Sequence, residues 1–136
     1  MTVKEAKSEL MTYRVLSEKL AKLHARNVNN HLNLGMMRFR AGDTGRSKAL
    51  LQRIREAEVR EIELQKSEYY TAAKIEEVRK TIDRKLLMLS ELDRKILYEK
   101  YLRGRSLIAL SMEICYEYTW FCKLHKRALE NYAKLS

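Results

Sequence analysis

The chain has 136 residues, no proline, four glycines and a formal net charge of +10. That length can bury one modest core, or a small domain plus an extended element, and a proline-free composition rich in Lys, Arg, Glu, Leu and Ala favours long helices. The basic excess points to a polyanionic partner, usually nucleic acid; no apolar run is long enough for a membrane span and no stretch reads as a secretory signal, so a cytoplasmic protein with two reduced cysteines is expected.

The charge is uneven. Residues 1–45 carry a net +4, residues 46–93 a net +1 and residues 94–136 a net +5. A near-neutral middle with many charges of both signs suits a solvated coiled-coil surface. The C-terminal third has the largest excess for its length.

Thr2 and Glu5 form a capping-box pattern. From there Val3, Ala6, Leu10, Tyr13, Leu16, Leu20 and Leu23 mark one face of a helix. It is expected to end near residue 30, where Asn27, Asn29 and Asn30 weaken it. The narrow apolar stripe asks for a partner helix. His24 and His31 are seven residues apart, whereas helical metal ligands pair at i, i+4, so no metal site is read there.

Leu34, Met36, Met37 and Phe39 form an apolar cluster suited to core or interface packing. The stretch RAGDTGRSK, residues 40–48, is the clearest loop, with the hairpin turn placed at about 40–47. It lacks the Gly-x4-Gly-Lys-Ser/Thr spacing of a phosphate-binding loop. Ser47 or Asp43 can start a second helix of roughly 40 residues. Its seam runs through Leu51, Ile54, Ala57, Glu61 and Leu64, then Ile75, Val78, Ile82, Leu86 and Leu89, in alternating steps of three and four. The apolar surface of Leu64, Ile75, Val78, Ile82 and Leu86 exceeds what one short helix covers, so self-association, as a homodimer, is expected.

Ser90 with Asp93 reads as a new helix start, and a helix over 91–102 presents Leu92, Ile96, Leu97 and Tyr101. Arg103-Gly104-Arg105 closes it, with both arginines placed to reach phosphate. Ser106 caps a helix carrying Leu107, Leu110 and Ile114. After a tight turn, Phe121, Leu124, Ala128 and Leu129 fall on one face of a last helix. Thr119, Lys123 and Lys126 lie opposite, with Trp120 and Arg127 to one side. An apolar face backed by a basic one suits the DNA major groove. Tyr116 falls at an apolar turn position and is expected in the core; Trp120 either faces DNA or packs inward. Cys115, Cys122 and His125 lack a further ligand pair for a zinc site, and no catalytic constellation or cofactor motif is present, so no enzyme is expected.

Residues 92–129 resemble, without gaps, the promoter-reading C-terminal helix-turn-helix of bacterial sigma factors. The resemblance rests on Ile96, Leu97, Tyr101 and Leu102, then Gly104, the Ser106 cap, Leu110, Ile114, Phe121, Leu124 and Ala128-Leu129. Cys115 stands where that turn has Gly, Glu117 where the last helix has a Ser or Thr cap, and Ser111 where it has a small Ala. The opening TVKE, the Gly-containing break and the long second helix extend the likeness to small phage late-gene regulators, the ArpU/RinA-like group. The resemblance implies an all-α fold, with a helical hairpin or coiled-coil arm over 1–89 and a sigma-like helix-turn-helix domain over 90–136. It further implies a phage- or prophage-encoded transcription regulator in the bacterial cytoplasm, with double-stranded DNA and, as a second partner, RNA polymerase. Tyr118, Thr119 and Lys123 would then read base edges, Trp120, if it faces outward, would touch a thymine methyl or a sugar, and Lys126, Arg127, Arg103 and Arg105 would meet phosphates. The rivals are a small-terminase-like packaging oligomer and an adaptor that docks on RNA polymerase.

Overall fold

The computed structural model describes residues 1–44 and 47–135. It is all-α, with no strand among the described residues. The helices are α1 (Val3–Thr44), α2 (Lys48–Leu86), α3 (Glu91–Leu97), α4 (Leu107–Ile114) and α5 (Tyr118–Ala133), and a π-helical turn, Tyr98–Leu102, continues α3. No helix among the described residues is long and apolar enough to cross a membrane.

The chain divides into two compact units, Met1–Ser17 with Ile75–Ser136, and Glu18–Lys74. The expected boundary at 89/90 therefore does not coincide with the structural one. The start of α1 and the end of α2 belong with the C-terminal helices, because their apolar side chains share one core with them.

In the Glu18–Lys74 unit, α1 and α2 run antiparallel. A step of seven forward along α1, from His24 to His31, is matched by seven backward along α2, from Glu68 to Glu61. Leu34, Ile54 and Ala57 form the buried centre, with Met37, Ala41 and Leu50 against them. The expected end of the first helix near residue 30 is wrong: α1 continues to Thr44. Asn residues weaken a helix when their side chains compete for its own backbone. Here Asn30 Nδ2 donates to the Ala57 carbonyl of α2 at 2.9 Å, and Asn27 Nδ2 donates to Glu68 at 3.1 Å. Those side chains bind the neighbouring helix instead, and the α1 ladder is left intact.

The apolar cluster at 34–39 is consequently helical and splits by face. Leu34 and Met37 turn inward, while Met36 and Phe39 are exposed. The loop expected at 40–47 is also helical through Thr44. Its residues 45 and 46 lie outside the described residues. Ser47 caps the start of α2, its Oγ accepting from Leu50 N at 3.0 Å.

In the other unit, Ala6 and Leu10 of α1 meet Ile82 and Leu86 of α2, and all four pack on Leu97, Tyr101, Ala128, Leu129 and Tyr132. Each fully buried Leu or Ile contributes about 1.5–3 kcal/mol. Of the seam expected to drive self-association, Ile82 and Leu86 are therefore buried within the chain, while Leu64, Ile75 and Val78 are half-buried. Polar groups pin the same contact. Lys85 lies 2.9 Å from Glu9, and Arg79 pairs with Asp83 at 3.0 and 3.1 Å while stacking on Tyr13 and Tyr98. A smaller core of Ile96, Leu110 and Phe121, flanked by Leu92, Leu107, Ile114 and Leu124, joins α3, α4 and α5.

Candidate nucleic-acid interface

The site is built on the turn between α4 and α5. Ser106 caps α4, its Oγ accepting from Ala109 N at 3.1 Å. Leu110 and Ser111 are its buried residues. Ser111 fills the small-residue position, and its hydroxyl is satisfied by donating to the Ile108 carbonyl at 2.8 Å. α4 ends at Cys115, which takes the left-handed conformation at φ 64° and ψ 34°. It is the single non-glycine residue with positive φ among the described residues. Tyr116 N donates back to the Ser111 carbonyl at 3.0 Å, the six-to-one bond of a Schellman ending. The chain thus makes the tight turn without the glycine that favours it. Glu117 precedes α5 in an extended conformation, with no side-chain cap bond.

α5 buries Phe121, Ala128, Leu129, Tyr132 and Ala133. The opposite side leaves Thr119, Lys123, Lys126 and Arg127 exposed. Trp120 is 51 % exposed and so is not packed into the core. Tyr116, expected in the core, is 40 % exposed, because the left-handed turn at Cys115 swings the next residue to the surface. Tyr118 is exposed at the first position of α5, and its hydroxyl pKa is raised by hydrogen bonding to the Cys122 thiol one turn on.

Arg103 and Arg105 stand apart from the α5 cations. Arg103 pairs with Glu99 at 3.2 Å, and Arg105 reaches Glu99 at 3.6 Å and also pairs with Glu113. Their charge is already met by carboxylates, and together they tie the turn after the π-helical segment to α4. Gly104 between them has φ 71°, and the Arg14 guanidinium comes within 3.1 Å of the position a Cβ would take there. Arg14 thus brings a cation from α1 to this turn. Nothing in the sequence announces it, since 90 residues separate it from Gly104.

His125 points inward, with Nε2 2.8 Å from the Tyr101 hydroxyl and its ring stacked on Tyr101 at 5.7 Å. Burial, then Lys100 and Lys7, lowers its pKa to about 4, so the imidazole is neutral at pH 7. Burial pushes Tyr101 up to about 12. His125 and Cys122 are therefore engaged with Tyr101 and Tyr118, and no group of three His, Cys, Asp or Glu among the described residues is placed to hold a metal. Asn131 Nδ2 donates to Asp93 at 2.8 Å, fixing the far half of α5 on α3.

Compared with protein-family models, curated proteins and solved structures, the chain finds no match.

Proposed function

We propose that the chain is a sequence-specific DNA-binding transcription regulator of phage type, with α5 as the helix that enters the major groove. The observation that carries this reading is the division of α5: one side is committed to the core by Phe121, Ala128, Leu129 and Tyr132, and the other is free and basic at Lys123, Lys126 and Arg127. A helix held rigidly by one face can present the other to base edges. In this reading Thr119 and Lys123, one turn apart, address bases, with Tyr118 and Trp120 beside them at the start of α5. Lys126 and Arg127 address phosphates. Arg103 and Arg105, already paired with Glu99 and Glu113, chiefly hold the turn.

An adaptor docking on RNA polymerase is the second reading. Ile108 and Met112 of α4 are exposed, as is the Trp120 ring, and that apolar surface suits a protein more than a phosphate backbone. Selection of bound sequences from random duplex DNA by the full chain tests the two. A recovered consensus supports the first reading. Recovery of unenriched DNA, together with capture of purified RNA polymerase, supports the second.

A further inference from the structure

The Glu18–Lys74 unit carries a groove along one side of the antiparallel helix pair. Its floor is Ala57 and Asn30, fixed to each other by the 2.9 Å bond from Asn30 Nδ2 to the Ala57 carbonyl. Its walls include Asn33 from α1 and Arg53, Arg60 and Glu56 from α2. Arg40, seven residues after Asn33 on α1, extends the same wall. Among the described residues neither Arg53 nor Arg60 forms an ion pair, whereas nearby Arg38 lies 3.5 Å from Glu58. Glu56 accepts from Gln52 Nε2 at 3.2 Å, which draws its carboxylate along its own helix.

We propose that this groove is a second nucleic-acid contact, in which Arg53 and Arg60 bind the phosphate backbone of duplex DNA independently of its sequence. Guanidinium forks match phosphate oxygens in pairs, and the amide of Asn33 in the same groove adds a neutral donor. Arg53 and Arg60 are two helical turns apart, about 10.5 Å along the axis. Duplex DNA carries about six charges over that length, so each fork meets its own phosphate. In this proposal both arginines meet backbone oxygens, which carry no sequence information, so the contact adds affinity and not sequence preference. It rests on the reading of the chain as a DNA-binding protein, but not on α5 being the reader.

The test measures binding of the full chain to its selected duplex and to a scrambled one, over a range of salt. Arg53→Gln/Arg60→Gln is compared with the charge-matched Arg55→Gln/Lys66→Gln, whose positions are exposed on α2 and do not line the groove. Helicity by circular dichroism is recorded for each, and Arg53→Lys/Arg60→Lys, which keeps the charge, is the second groove variant. The groove pair is expected to weaken both duplexes alike, roughly tenfold to hundredfold at 0.1 M salt, and to flatten the logarithmic salt slope by about 1.8. The lysine pair retains the slope, and the control pair changes it far less. Equal losses from groove and control pairs, or unchanged binding by the groove pair, overturn the proposal. Unchanged DNA binding with lost binding to polyglutamate assigns the groove to an acidic polypeptide and also overturns it. Lys123→Ala separates the two readings. If it is silent while the groove pair weakens binding, the reader assignment fails and this contact stands; the reverse result sinks this contact alone.

Discussion

Two backbone positions concentrate the residue-scale consequences. Gly104 has positive φ and the Arg14 guanidinium over it. Gly104→Ala adds a strained backbone and displaces the end of a flexible side chain, so a loss of about 1–2 kcal/mol is expected in urea unfolding. Cys115 presents the opposite case, a side chain where the backbone prefers none. Cys115→Gly is expected to gain up to about 1 kcal/mol, offset in part by the greater freedom of glycine in the unfolded chain. A clear loss would mean that the Cys115 side chain makes a contact the turn depends on. On α5, Lys123 and Arg127 separate by angle. Lys123→Ala is expected to cost about 1–3 kcal/mol on the preferred duplex and to relax one base position. Arg127→Ala is expected to weaken all duplexes alike and flatten the salt slope by about one unit.

α5 is the element in which packing and electrostatics meet. Its inner face holds His125 neutral against Tyr101, with Lys100 and Lys7 adding to the cost of charging it. The folded pKa of about 4 lies below the ordinary 6.5, so the unfolded chain binds the extra proton first. Stability is therefore full above about pH 6.5 and falls as pH drops toward 4. With allowance for solvent around a partly buried ring, about 1–2 kcal/mol is lost across that window. Urea midpoints for the parent and His125→Phe, measured between pH 7.5 and 4, check this: the parent slope is expected and the variant lacks that part of it. The same element shows what was legible from sequence. Phe121, Ala128 and Leu129 repeat at helical spacing, and they are buried. The start of α4 at Ser106 was readable because a cap is a local interaction, and of the two starts open for α2, Ser47 and Asp43, Ser47 is the cap. The continuation of α1 past Asn27 and Asn30 was not, because their partners Glu68 and Ala57 are 41 and 27 residues away. The carboxylates on Arg103 and Arg105 were equally hidden, and so was the exposure of Tyr116, which depends on one left-handed residue.

Across the whole molecule the net charge of +10 is carried by surfaces that differ in what they leave unpaired. Ion pairs consume cations at Lys85, Arg79, Arg103 and Arg105. The α5 face and the Arg53/Arg60 groove keep theirs exposed. The α5 face lies on a helix whose start is set by the turn at Cys115, and that face is where sequence selectivity would arise. The groove lies on a regular helix pair and adds charge alone. The most direct measurement is therefore the difference in binding free energy between the selected duplex and a scrambled one, for the parent chain and for Lys123→Ala, at several salt concentrations. The parent is expected to prefer the selected duplex at every salt. Lys123→Ala should lose about 1–3 kcal/mol of that preference while its affinity for the scrambled duplex changes little. An equal loss on both duplexes, or no loss on either, would contradict the assignment of α5 as the helix that reads DNA.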